Sequence, residues 1–169
     1  RAAERLSTEV GNLRRCIRLV SPDGNAQPVV NTGGRYHLNP EVVDVDLWSF
    51  EDAMATAMAA SDPAERERSL HTATGARVLE MTRGQDHHWL EPLREQLRRK
   101  AIPAHLQLAD QVAPTDATWA ADLIQRAAAL DPTSEDLSRR AIDAHARAGN
   151  KAAVDAELRR LRSALRDID

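Results

Sequence analysis

Residues 31–50, NTGGRYHLNPEVVDVDLWSF, constrain the fold of this chain more than any other stretch. Thr32-Gly33-Gly34-Arg35 separates two short β-prone runs, Val29-Val30 and Tyr36-His37-Leu38. Paired glycines take the positive φ angles of a two-residue hairpin turn at little steric cost, so a β-hairpin is expected here. Asn39-Pro40 ends it, because proline gives no N–H to a ladder and restricts the residue before it. Residues 42–46 carry the chain onward, and the Asp46 carboxylate can cap a helix opening at Leu47-Trp48. One segment thus closes a small helix-plus-hairpin unit and opens a helical one.

Upstream, residues 1–20 have helical period. Leu6, Val10, Leu13 and Ile17 recur at i, i+4, i+7 and i+11 and form one apolar stripe. Nearly opposite lie Arg1, Arg5, Thr8, Asn12 and Arg15. Arginine pairs bidentately with guanine and asparagine with adenine, so this face has the chemistry of a base reader. The plainer alternative is the solvated face of a helix that buries its stripe. Residues 1–37 hold six arginines against Glu4, Glu9 and Asp23, although the whole chain has a net charge of −3. Contact with nucleic acid is therefore expected in this basic piece and not on the acidic remainder. With only five aromatic residues, stacking on single-stranded bases is not expected.

Downstream the pattern is helical throughout. Leu47, Phe50, Met54, Ala57 and Met58 fit the inner face of a first helix, as core and not as a cofactor box. Asp62-Pro63 caps and opens a second helix reaching about Thr82, which Gly75 weakens by roughly 1 kcal/mol relative to alanine. Residues 83–88 read as loop. Residues 89–112 form a long helix with Pro92 in its first turn and a kink expected at Pro103. Trp48 and Trp89 each stand at a helix start, where a buried ring can bridge neighbouring helices. A repeat of 34 residues follows: Ala120, Ile124 and Ala127 are echoed by Val154, Leu158 and Leu161, and Leu108 by Ile142. That period is the tetratricopeptide one, with Asp131-Pro132 between repeats and Ala148-Gly149-Asn150 turning within the second. Asp116 caps the helix that Trp119 begins, and residues 151–168 end the chain as an amphipathic helix. Residues 44–169 are expected to be all-helical, in stacked antiparallel pairs.

No Gly-rich phosphate loop, nucleophile elbow or HExxH pattern occurs, so no catalytic residue is assigned and an enzyme is not expected. Asp86-His87-His88 raises a metal reading, but no second ligand pair stands at a recognisable spacing, and exposed loop histidines are the expectation. No metal and no cofactor are assigned. His71, His105 and His145 are expected at helix edges, and the carboxylates as surface ion pairs beside arginines. Cys16 is the lone cysteine, which excludes an internal disulfide. No bilayer-length apolar run or signal-peptide pattern is present, so membrane contact is not expected within the segment and a cytoplasmic location is. The chain starts at Arg1 within a helical pattern, as a piece of a longer protein would.

The stretch GGRYHLNPEVVDVDLWSFEDA, with Trp89-Leu90-Glu91-Pro92-Leu93-Arg94-Glu95 and Leu130-Asp131-Pro132 in order behind it, resembles bacterial antibiotic regulatory proteins of the SARP type from about Leu6 onward. In that family a winged-helix DNA-binding domain runs into a tetratricopeptide-like bacterial transcriptional activator domain. The resemblance implies a mainly α fold. Residues 1–39 would hold the recognition helix and wing of an incomplete winged helix, with the wing at 27–38, and 44–169 the activator domain. It implies DNA contact in the intact protein through Arg1, Arg5, Thr8, Asn12, Arg15 and Arg35. The helical domain would serve self-association or a protein partner such as the transcription machinery. Pro103 departs from the family, which carries a good helix former there. The alternative is a scaffold domain of a larger, in some relatives membrane-anchored, protein whose winged helix has decayed; the scarcity of lysine (Lys100 and Lys151 only) favours it.

Overall fold

Gly33 and Gly34 take φ angles of 60° and 80° and fold strand β1 (Val29–Thr32) back on β2 (Arg35–Leu38). The strands are antiparallel, pairing Val29 with Leu38 and Thr32 with Arg35. The Asn39 N–H donates to the Pro28 carbonyl at 2.9 Å and closes the base of the hairpin where the sequence places its end. This computed structural model describes residues 2–21, 23–76 and 88–166. Ahead of the hairpin, helix α1 spans Ala2–Val20.

The expected apolar stripe of α1 is only partly covered. Val10 is buried and Ile17 half-buried, whereas Leu6 and Leu13 are 53% and 44% exposed. Two four-residue strands are too small to cover a helix of 19 residues across its whole apolar flank. Polar ties supplement the packing. Arg14 Nε donates to the Val29 carbonyl at 2.9 Å, and Arg18 Nε to the Ala26 carbonyl at 3.1 Å. The Arg14 guanidinium also lies 5.9 Å from the centre of the Tyr36 ring, within cation–π range.

Contacts divide the chain into two compact units, Arg1–Val45 and Asp46–Asp169. The second holds α2 (Asp46–Ala59), α3 (Pro63–Gly75), a 3₁₀ turn at His88–Leu90, α4 (Glu91–Val112), α5 (Ala117–Leu130), α6 (Glu135–Arg147) and α7 (Lys151–Arg166). Each helix packs chiefly on its neighbours in the chain, the quasi-one-dimensional pattern of repeat proteins. No strand follows Leu38 among the described residues. Phe50, Leu70, Leu97, Leu108 and Leu123 fill the core, and Ala104, Ala109, Ala120, Ala127, Ala128 and Ala141 let the helix backbones approach one another. The 34-residue echo falls on matching helices, α5 with α7 and α4 with α6.

Local chemistry sets the helix ends. Asp62 accepts from the Ala64 N–H at 3.1 Å with Pro63 in the first turn, and Asp116 from the Trp119 N–H at 2.8 Å. Gly149, at φ 74°, closes α6, and the Asn150 N–H returns to the His145 carbonyl at 2.9 Å.

Several expectations fail, each for a packing reason. Gly75 ends α3 instead of weakening it: Ala76 is extended at φ −71° and ψ 134°, and residues 77–87, including Asp86 and His87, lie outside the described residues. Helix α4 does continue across Pro103, as the helical reading of residues 89–112 expects. Trp89 is 71% exposed, because in the turn before α4 the inward place goes to Leu90, and Trp48 is half-buried. Met58 is 82% exposed at the mouth of an open groove lined by Arg66, Gln107 and Asp110. His71 stays at the surface, tilted on Trp119 with ring centres 5.5 Å apart, but His105 and His145 are buried within the stack.

Candidate nucleic-acid interface

Three faces of α1 can be told apart. Val10, Arg14, Ile17 and Arg18 form the face turned to the hairpin. Nearly opposite, Arg5, Thr8, Asn12 and Arg15 are all exposed, at i, i+3, i+7 and i+10 along one side. Between them runs the uncovered flank of Leu6, Leu13 and Val20. Arg1 lies outside the described residues. The Thr8 hydroxyl donates to the Glu4 carbonyl at 3.0 Å, which fixes its proton inward and leaves the oxygen to accept. Arg35 is exposed at the start of β2, directly after the glycine turn.

Not every arginine of this unit is available for an outside ligand. Arg14 spends its Nε donor on the Val29 carbonyl of β1, and Arg18 spends its own on the Ala26 carbonyl ahead of the hairpin. The sequence signal was their spacing: they fall one turn apart on the same side as Val10 and Ile17. What is left, Arg5, Arg15 and Arg35 with the amide of Asn12, is a set of forked donors plus one two-way hydrogen-bonding group. Such a set can bond phosphate oxygens and base edges. No group on this face performs acid–base or nucleophilic chemistry.

A second polar assembly, which the sequence reading missed, joins α5, α6 and α7. Glu157 is 1% exposed and ion-paired with Arg160, whose Nε donates to it at 2.8 Å. Arg160 Nη2 also donates to Ser138 Oγ at 2.9 Å. Burial works to raise the Glu157 pKa, but the bonds and charge of Arg160, helped by Ser138 and His145, outweigh it and hold the carboxyl below its usual range. Glu157 in turn raises the pKa of Arg160. His145 Nε2 lies 2.6 Å from Gln125 Oε1, which only accepts, so that nitrogen carries a proton. On α4, His105 donates Nδ1–H to the Ala101 carbonyl at 2.8 Å, and burial lowers its pKa. The signal for Glu157 was its place between Val154 and Leu161 on the inward side of an amphipathic helix. Ser138, His145 and Glu157 are buried in this assembly and Arg160 is half-buried, and its bonds dock α7 on α6.

The helical unit has the build of a repeat domain, stacked helices that offer surfaces to other molecules. The family model for the bacterial transcriptional activator domain matches residues 45–168, well over half the chain, and the chain belongs to that family. It is a regulatory, non-enzymatic family. No curated protein and no solved structure matches the chain. The helix and hairpin of the first unit lie outside the matched residues. No helix among the described residues is long and apolar enough to cross a membrane.

Proposed function

We propose that this chain is part of a SARP-type transcriptional regulator of the cytoplasm. In it α1 reads the major groove and the hairpin acts as the wing. Arg1, Arg5, Thr8, Asn12 and Arg15 contact base edges and phosphates. Arg35 in the wing turn adds phosphate or minor-groove contact. The helical unit binds a protein partner or a second copy. One observation carries this reading: the exposed Arg5–Thr8–Asn12–Arg15 face stands opposite the face by which Arg14 and Arg18 hold the hairpin. A recognition helix needs that arrangement, anchored behind and polar in front. The uncovered Leu6 and Leu13 support a further element packing on that flank in the intact regulator, fixing the helix against the groove.

The test uses the full-length protein on its own promoter. Asn12→Ala or Arg15→Ala should each weaken specific binding by about 1–3 kcal/mol and relax sequence choice. Arg35→Ala should weaken binding to all sequences alike and lower its salt dependence. Without the positioning elements, the 169-residue chain should bind DNA only non-specifically, at roughly 10⁻⁴ to 10⁻⁶ M. If Asn12→Ala and Arg15→Ala leave promoter binding unchanged while the fold is intact, the helix is a remnant and the chain is an interaction scaffold.

A further inference from the structure

Helix α7 is held to the stack in an unusual way. The one side chain it buries fully is Glu157, locked to Arg160 and through it to Ser138 on α6. Its apolar residues Val154, Leu158, Leu161 and Leu165, at i, i+4, i+7 and i+11, are all only half-buried. In α5, the 34-residue counterparts of Val154 and Leu161 are Ala120 and Ala127, both buried because α4 and α6 cover α5 from two sides. Helix α7 packs chiefly on α6 and keeps one flank of its stripe open.

Lys151 and Arg162 border that flank, and Arg166 and Arg159 lie farther round the helix on the same side. Lys151, Arg159, Arg162 and Arg166 are exposed and form no ion pair among the described residues, and Asp155 is the single exposed carboxylate of the helix. Residues 46–150 have the opposite balance, twelve basic against seventeen acidic side chains. The positive charge of the helical unit is thus gathered where the half-covered leucines lie. A second copy of α7 would bring like charge against like charge, which disfavours self-pairing across this face. The matching surface is a helix with apolar residues every third or fourth position and Asp or Glu along the side that meets the basic rim.

We propose that α7 is a docking face for an acidic amphipathic segment of a protein partner, seated on Val154, Leu158, Leu161 and Leu165 and steered by Lys151, Arg159, Arg162 and Arg166. This names the chemistry of the partner in the reading above and does not depend on DNA contact by α1. Apolar contact supplies the affinity, and the cationic rim supplies orientation and rate of encounter.

The probe is a labelled synthetic helical peptide of about five turns, leucines on one face and glutamates on its flanks, titrated into the full chain and followed by fluorescence anisotropy. Saturable binding is expected, weakened by added salt as exposed charges are screened. Arg162→Glu with Arg166→Glu, both at exposed positions, should weaken it about tenfold or more, with circular dichroism unchanged. Leu158→Ser should weaken it likewise. Asn12→Ala should leave peptide binding intact, and the α7 variants should leave promoter binding of the full-length protein intact, so the two readings fail separately. The proposal is overturned if no saturable binding occurs, or if the lysine version of the peptide binds equally well. It is equally overturned if the charge-reversed chain binds undiminished, if the chain dimerises through α7, or if anionic phospholipid vesicles or duplex DNA occupy the face in the peptide's stead.

Discussion

Helices α1 and α4 are close in length, 19 and 22 residues, and they spend their side chains in opposite ways. Helix α4 lies between α3 and α5 and buries Leu97, Ala101, Ala104, His105, Leu108, Ala109 and Val112. Helix α1 has a two-stranded hairpin for company and buries Val10, with Arg14 bonded to the Val29 carbonyl and Arg18 to the Ala26 carbonyl. A helix packed on two sides gains its stability from apolar contact and has little left to offer a ligand. A helix packed on one narrow side must be held by polar ties and keeps most of its circumference for other molecules. Helix α7 stands between the two, docked on one neighbour through a buried ion pair with a leucine flank half open.

Core truncation should separate the two helices most widely. Leu108→Ala should cost about 2–5 kcal/mol, since the side chain is fully enclosed and the cavity cannot collapse. Leu13→Ala on α1, a surface change, should stay within about 0.5 kcal/mol. Denaturant unfolding measures both, and similar losses would show that the α1 leucines are covered after all.

The intermediate case is Glu157. Replacing it by alanine strands the Arg160 guanidinium, which keeps 28% of its side chain accessible, so the loss should be about 2–3 kcal/mol, below that of a fully enclosed pair. The acid limb of the stability curve should carry its signature. Because the folded pKa lies below the ordinary 4.5, the contribution of Glu157 is complete above that value and is lost as pH falls through the lowered one. His105 adds a step of the same sign: its folded pKa is lowered from 6.5, so its contribution is present above 6.5 and lost as pH falls through the folded value. Glu157→Gln should remove the lower step and leave the upper one, and a wild-type acid limb in that variant would mean the ion pair does not hold α7.

Smaller than the losses at Leu108 and Glu157 is the effect of Arg14→Ala. One charge-assisted bond to the Val29 carbonyl and the contact with Tyr36 are lost at a half-buried site, about 1 kcal/mol, or roughly fivefold in local opening. Hydrogen exchange at the hairpin amides of residues 29–38 should accelerate by that factor while the α4 amides keep their protection. Unchanged exchange would show that Arg18, Val10 and Ile17 hold this unit together without Arg14.

What the sequence determined by itself was the local structure, because local structure follows from short-range chemistry. Two glycines at Gly33-Gly34 fix a hairpin turn and its register, Asp62-Pro63 and Asp116 fix helix starts, and the 34-residue echo fixes which helices correspond. What only the tertiary structure decided was which side of each helix meets a neighbour. Apolar spacing places Leu6, Leu13 and Met58 on an inward stripe, yet among the described residues no element covers them; Trp89 yields its inward place to Leu90. Arg14 and Arg18 count as basic charge in the chain and become internal ties in the fold, while Glu157 and His145 pass from expected surface groups to buried ones. Burial is a property of a pair of surfaces, and a periodic pattern on one helix specifies only its own half of that pair.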